Sequence, residues 1–520
     1  MTTSPPFDVL TATIKDLQVL LVENRCTSVD LIEIYLDAIE KNNRDGLKLY
    51  AVIETAPKEQ LLQIAREMDE QRTSGKPLGP LHGIPILVKD NLGTEPSLGM
   101  KTTAGSYALE DSVVKQNATV IKLLRDSGAI ILGKANMTEW ANFRQENPYP
   151  PGSDEWKDAI HHGWSGRGGP CMSPYNPERT ALGSSTGSAV AVAAGFSPAS
   201  IGSETFGSIC MPADRTGLYS IKPTVGLISS AGGIPLTSTR DVFGPMTKNA
   251  YDSALLLQIL AGPDERDANT KRSPFKKGEI DYVKLTENPS FEGKKIGIYP
   301  LSPEDLASEA ETACIRDLMS NTVTKLRGNG ATVIDDLKEL DFDTESFGKK
   351  DNLVLLTDFK VDLANYLGTL EKTSVKSLAD VIQFNIDHKD IEMPPRYPGQ
   401  SLFLKAQATK GKSDPEYIEA LSEIERIANQ GLEAIFEENQ LDAIFLTRAC
   451  SDRDPIWLAS PAKYPIVTVP LGFDETIQEP VCLFMIGRPF SEGTLVQLMA
   501  AWEAVFPPRR APPALEAAGK

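Results

Sequence analysis

The chain has 520 residues, of which 41% are hydrophobic and 24% charged, the make-up of an ordinary globular protein with material for a large core. Its formal net charge of −18 is dispersed, and the basic clusters are no longer than pairs such as Lys276-Lys277 and Lys294-Lys295, which argues against a nucleic-acid partner. No apolar run approaches the roughly 20 residues that span a bilayer, so no membrane partner is expected.

The first 75 residues read as helical and are expected to pack on the core. Thr27-Ser28 is suited to cap a helix whose apolar positions Leu31, Ile32, Tyr35, Leu36 and Ile39 follow a 3.6-residue period. Ile84 to Val88 is a short buried-strand candidate that ends in the polar Lys89-Asp90-Asn91. A helix through Val120, Ile121, Leu123 and Leu124, closed by Gly128, leads into the strand Ala129-Ile130-Ile131-Leu132. Residues 145–180, rich in proline and glycine, look like long loop structure. Ser200-Ile201-Gly202 is strand-like, and a loop-rich break follows from Gly262 to Gly293.

Ile296-Gly297-Ile298-Tyr299 reads as a strand, and helices then dominate residues 300–440, including the amphipathic series Ile418, Leu421, Ile424, Ile427. Two further strand candidates are Asp442 to Leu446 and Tyr464 to Pro470. Pro507-Pro508 and Pro512-Pro513 mark residues 506–520 as a flexible tail. Strands alternating with helices imply an α/β core with much parallel pairing. The expected division is therefore 1–75, a main domain over 76–505 with 300–440 as helical cover, and the tail.

Three segments carry candidate chemistry. Lys89 closes an apolar strand; it serves as a base only when neutral, which burial favours by lowering its pKa. The alternative is an ordinary strand-end lysine in water. Gly183-Ser184-Ser185-Thr186-Gly187-Ser188 is a glycine-flanked serine turn before a helix, whose first N–H groups favour developing negative charge; it reads equally as a plain capping loop. Ser208 follows Gly207 in a turn whose backbone N–H groups could form an oxyanion hole, or is a simple turn serine. Together they suggest a serine nucleophile activated by lysine in place of histidine.

Metal binding has little support: the four histidines are His82, His161, His162 and His388, and the adjacent His161-His162 lacks a third ligand set by spacing. Six scattered cysteines with no CxxC pair fit a reduced, cytoplasmic setting. The N-terminus has neither the basic start nor the apolar centre of a secretory signal.

In this order the segments resemble the amidase signature family. The likeness runs through His82 to Asn91, Gly183 to Ser208, Gly217 to Thr224, Arg240 to Met246 and Gly487 to Glu492, and covers roughly residues 10–505. Gly133 to Arg144, with Trp164-Ser165-Gly166-Arg167-Gly168-Gly169, is most similar to the peptide-amidase-like and fungal amidase branch. The resemblance implies a large mixed β-sheet covered on both faces by helices, and an amide hydrolase that needs no cofactor and no metal. It implies Ser208 as nucleophile, Ser184 as a bridging serine on a cis peptide bond and Lys89 as ultimate base. The backbone N–H groups of Thr205, Phe206, Gly207 and Ser208 would form the oxyanion hole, with Ser185 a hydrogen-bond partner of Lys89. Met137, Phe206 and Tyr464 would touch the acyl part of a small carboxamide or peptide amide. His82 is expected to be structural.

Several positions depart from the family pattern. Phe206 stands where glycine or aspartate is usual, Cys210 where arginine is frequent, Leu182 and Thr186 where glycines flank the double serine, and Val481-Cys482 where a Val-Gly step is usual. These departures leave room for an acyltransferase that forms amides, or for a catalytically silent binding protein. The glutaminase component of a tRNA-dependent amidotransferase is a more distant alternative, since no partner signature is present. The small-molecule substrate is expected to meet a monomer or homodimer.

Overall fold

The computed structural model describes residues 6–146, 162–301, 309–447 and 454–518, so His161 lies outside the described residues. Thirteen strands follow in chain order. They are β1 (Val52–Thr55), β2 (Pro85–Lys89), β3 (Ile130–Ala135), β4 (Trp164–Ser165), β5 (Gly169–Pro170), β6 (Ser200–Glu204) and β7 (Tyr219–Lys222). Then come β8 (Val242–Thr247), β9 (Lys295–Ile298), β10 (Thr332–Ile334), β11 (Ala443–Leu446), β12 (Ile466–Asp474) and β13 (Glu479–Ile486). All but the small β4–β5 pair join one 11-stranded sheet in the order β1-β3-β2-β6-β8-β7-β12-β13-β11-β9-β10. Pairing is parallel for β2 with β3 and β6, and for β9 with β10 and β11; the remaining pairs are antiparallel. This is the mixed sheet between helices that the resemblance implies, with less parallel pairing than the alternation of strands and helices suggests.

The central strands are fully buried, which explains why β2 and β6 read as apolar or small-residue runs with no polar alternation. Helices Ile14–Val22 and Ser28–Asn42 open with the same device: Thr13 and Thr27 exchange hydrogen bonds with Asp16 and Asp30 in reciprocal capping boxes. In the second helix Leu31, Ile32, Tyr35 and Ile39 face the core as the periodicity predicts. The first 75 residues are not wholly helical, however. Val52–Thr55 is the sheet's edge strand, too short and too weakly alternating to announce itself.

Residues 309–439 supply a layer of helices interrupted by β10, a short strand of three residues. Within helix Pro415–Asn439 the inward stripe is Tyr417, Ala420, Ile424, Ala428 and Leu432, whereas Ile418 is 55% exposed. The helix is rotated by about one residue from the predicted face because Tyr417 supplies the anchor. Phe359 and Phe403 of this layer meet Trp140 edge-on at 6.4 and 5.8 Å, sealing the cover to the sheet side. Residues 506–518, expected to hang free, bury Phe506, Ala511 and Leu515, and Arg509 donates to the Leu10 carbonyl.

Candidate active site

Strand β2 is flanked by β3 and β6, and its last residue, Lys89, emerges with no exposed surface. Its Nζ lies 2.8 Å from Ser184 Oγ, 2.9 Å from Ser203 Oγ and 3.2 Å from the Ser203 carbonyl oxygen. Asn91 Nδ2 donates to the same Ser203 hydroxyl at 3.0 Å, fixing it as part of the lysine's cradle. Burial drives the Lys89 ammonium from its ordinary 10.5 down to about 7, against the opposing pull of the Asp241 and Glu204 charges. A strand-end lysine in water, the bland alternative, is not what the fold builds.

The double serine lies between β5 and helix Thr186–Ala193. Leu182 takes a positive φ of 57°, and the following Gly183–Ser184 peptide bond is cis. Gly187 is required for space, since a Cβ there would sit 2.4 Å from the Ala51 carbonyl oxygen and from Asn136 backbone atoms. Ser185 Oγ donates to the Ser203 carbonyl at 2.9 Å and accepts from Ser203 N–H at 3.2 Å. The expected direct bond from Ser185 to Lys89 therefore takes an indirect form: the two side chains share the Ser203 carbonyl.

Beyond β6 the chain turns sharply around Glu204. Its buried carboxylate accepts from Gly207 N–H at 2.8 Å, Ile209 N–H at 2.7 Å and Cys210 N–H at 3.0 Å. Gly207 has φ 68°, a region favourable to glycine, and a Cβ there would press on Met211 Sδ at 2.8 Å. Since the Gly207 N–H is engaged by Glu204, the turn offers the N–H groups of Thr205, Phe206 and Ser208, which have no protein acceptor among the described residues. Ser208 is 8% exposed, and its main-chain carbonyl accepts from Ser185 N–H at 3.1 Å, which ties the two serine segments together. Its Oγ faces the Phe206 carbonyl at 3.5 Å. The Lys89–Ser184 link is thus formed, while Ser184–Ser208 is not among the hydrogen bonds of the described residues.

Phe206 stacks on Trp457 with ring centres 4.1 Å apart and planes 16° from parallel. Next to it, Ser460 donates to the Thr205 carbonyl and Thr205 Oγ1 donates to Asp241. Met137 and Tyr464, the other two expected substrate contacts, are enclosed. Met137 packs with Trp140 and Phe403, and Tyr464 gives its hydroxyl to Glu433 at 2.8 Å. Cys210 and Cys482 are fully buried, and the Cys482 N–H donates to Asp214. Both ring nitrogens of His82 engage the backbone, at Met68 and Leu78, which gives it a structural role. Among the described residues no cluster of metal-ligating side chains occurs, and no helix is long and apolar enough to cross a membrane.

Ser203, Asn91, Glu204, Asp241 and Trp457 escaped the sequence reading. Only Glu204 left a usable sign, an acid between a small-residue strand and a glycine turn whose N–H groups need acceptors. The others act through tertiary proximity.

Comparisons with known proteins bear on the chain as a whole. The amidase family model matches residues 30–496. A probable amidase of Arabidopsis thaliana is 36% identical over 514 residues, covering 98% of this chain and 93% of its own. A glutamyl-tRNA(Gln) amidotransferase component of Moorella thermoacetica is 31% identical, covering 94% of this chain and 96% of its own. The solved structure of native peptide amidase from Stenotrophomonas maltophilia superposes with a TM-score of 0.87 at 35% identity, covering 98% of this chain and 99% of that one.

Proposed function

Because the chain belongs to the amidase family and is an amide hydrolase, we propose that it cleaves a small carboxamide or peptide amide through Ser208, Ser184 and Lys89. The observation that carries this reading is the enclosed Lys89, held on Ser184 Oγ at 2.8 Å and brought to about 7 by burial.

In this scheme neutral Lys89 takes the Ser184 proton as Ser184 takes that of Ser208, whose Oγ swings from the Phe206 carbonyl towards Ser184. Ser208 Oγ forms a bond to the amide carbon, and the carbonyl oxygen becomes an oxyanion held by N–H groups of the turn at Thr205, Phe206 and Ser208. Collapse breaks the C–N bond, the leaving amine receives the relayed proton, and water releases the acyl group from Ser208 by the same route. Phe206 and Trp457 present an aromatic wall beside the nucleophile and favour an apolar acyl part. Met137 and Tyr464, being enclosed, shape that space through packing.

A fluorophosphonate with intact-mass detection tests this. One adduct is expected on the wild-type protein and none on Ser208→Ala. An adduct that persists in the variant, or its absence from both, would remove Ser208 as nucleophile. Product analysis with and without an added amine then separates hydrolysis from acyl transfer.

A further inference from the structure

The antiparallel register that pairs Glu204 with Val242 sets Asp241 opposite Thr205 as both strands leave the sheet. One Asp241 oxygen accepts from Thr205 Oγ1; the other accepts from Leu236 N–H at 2.7 Å and Thr237 N–H at 3.0 Å. Thr205 is therefore held at its hydroxyl by Asp241 and at its carbonyl by Ser460, leaving its N–H as the one polar group without a protein acceptor among the described residues.

The same loop is bolted to the helical cover. Thr237 and Thr239 donate to Asp358, Ser238 N–H donates to Asp362 at 2.7 Å, and Arg240 pairs with Asp351 at 2.5 Å. On the cover side Lys412 binds Asp362 at 2.7 Å and Tyr417 donates to Asp358 at 2.6 Å. A continuous polar path thus runs from helices Thr344–Thr369 and Pro415–Asn439 to the turn that carries Ser208.

We propose that Asp241 is a positioning residue of the hydrolytic site: it holds Thr205 with its N–H presented to the oxyanion, and its charge faces Lys89. The proposal rests on the Ser208–Ser184–Lys89 reading above. The Asp241 side chain accepts three hydrogen bonds and donates none, as a carboxylate does, although burial raises it to about 6. Glu204 is the other acid that faces Lys89, and Asp362, itself paired with Lys412, is the acid that faces Asp241.

The charge and the hydrogen bond have separable signatures. Phosphonylation needs neutral Lys89, so its rate rises with pH to a plateau. In Asp241→Asn the lost negative charge makes Lys89 harder to protonate, and the acid limb moves to lower pH by about half a unit or more. The plateau falls about tenfold as Thr205 loosens. In Thr205→Val the hydroxyl bond goes, so the plateau falls by a similar factor of about ten.

The rate of reaction with a short-chain fluorophosphonate, followed by intact mass from about pH 5 to about pH 9, reads both quantities without knowledge of the substrate. An unmoved limb in folded Asp241→Asn, or a wild-type plateau in Thr205→Val, overturns the proposal. If Asp241→Asn does not fold by circular dichroism, the plateau of Thr205→Val decides the positioning role. Failure to label wild-type protein would sink the triad reading itself, a result distinct from either of these.

Discussion

Replacing Lys89 by methionine should destroy activity and yet stabilise the fold near neutral pH. Burial takes the Lys89 ammonium from 10.5 to about 7, which corresponds to about 5 kcal/mol of preference for the neutral amine. The unfolded chain holds that proton up to its ordinary pKa, whereas the folded one releases it near 7. Between those values the unfolded state binds more protons, so the wild-type protein gains stability as pH rises and carries the full cost below about 7. Methionine fills a similar volume and carries no proton.

Against this gain stands the loss of hydrogen bonds. Ser203 keeps partners, because Asn91 still donates to its hydroxyl and Ser185 to its carbonyl. Ser184 Oγ alone is stranded, at a cost of about 1–3 kcal/mol. The net expectation is a gain of about 2 kcal/mol at neutral pH, or about 2 °C in melting temperature for a protein of this size. The gain should vanish near pH 9 and turn into a loss of similar size above about pH 10, where the wild-type lysine no longer bears the burial cost. Thermal unfolding of both proteins at one scan rate across that pH range measures it, with phosphonylation as the activity readout, expected to drop by about 10⁴-fold. A variant that melts below wild type at neutral pH, or a difference that does not change with pH, would refute the claim that burial holds Lys89 neutral.

Glu204→Gln should lower stability by about 2 kcal/mol, because one amide oxygen replaces a carboxylate that accepts from three N–H groups. Labelling of Ser208 should slow with it, and a variant that melts and labels like wild type would show that Glu204 does not organise the turn. Trp457→Ala removes the face against which Phe206 stacks and widens the wall beside Ser208. Across amides of increasing acyl size, kcat/KM for bulky over small acyl groups should rise by about tenfold, and an unchanged ratio would place the wall outside the substrate site.

The fold was legible where burial imposes a pattern on consecutive residues. The β2 and β3 runs, the stripe of helix Ser28–Asn42 and the strand at Ala443–Leu446 each bury enough of their own side chains to announce themselves. Strands β1 and β10 did not, because an edge strand of three or four residues takes its form from its neighbour's free backbone groups and not from its own composition. The tail misled for a related reason: prolines signal the absence of regular structure, and say nothing of docking by contacts as distant as Arg509 to Leu10.

The site divides along the same line. Lys89 ends an apolar strand, and Ser184 and Ser208 sit in turns with their own glycine and small-residue signs, so a reader of the sequence can single them out as candidates. What makes the lysine usable is supplied largely from elsewhere: Ser203 by strand pairing, fixed by Asn91 two residues beyond the lysine, and Asp241 by a register two strands away. Phe206 shows the limit most clearly. Read alone it looks like damage to an oxyanion turn, yet Gly207 is the residue whose N–H is occupied, and the Phe206 ring is taken up by Trp457, 251 positions further along the chain (457 − 206). A bulky residue beside a nucleophile is a defect or a specificity element according to what covers it, and that is decided by packing.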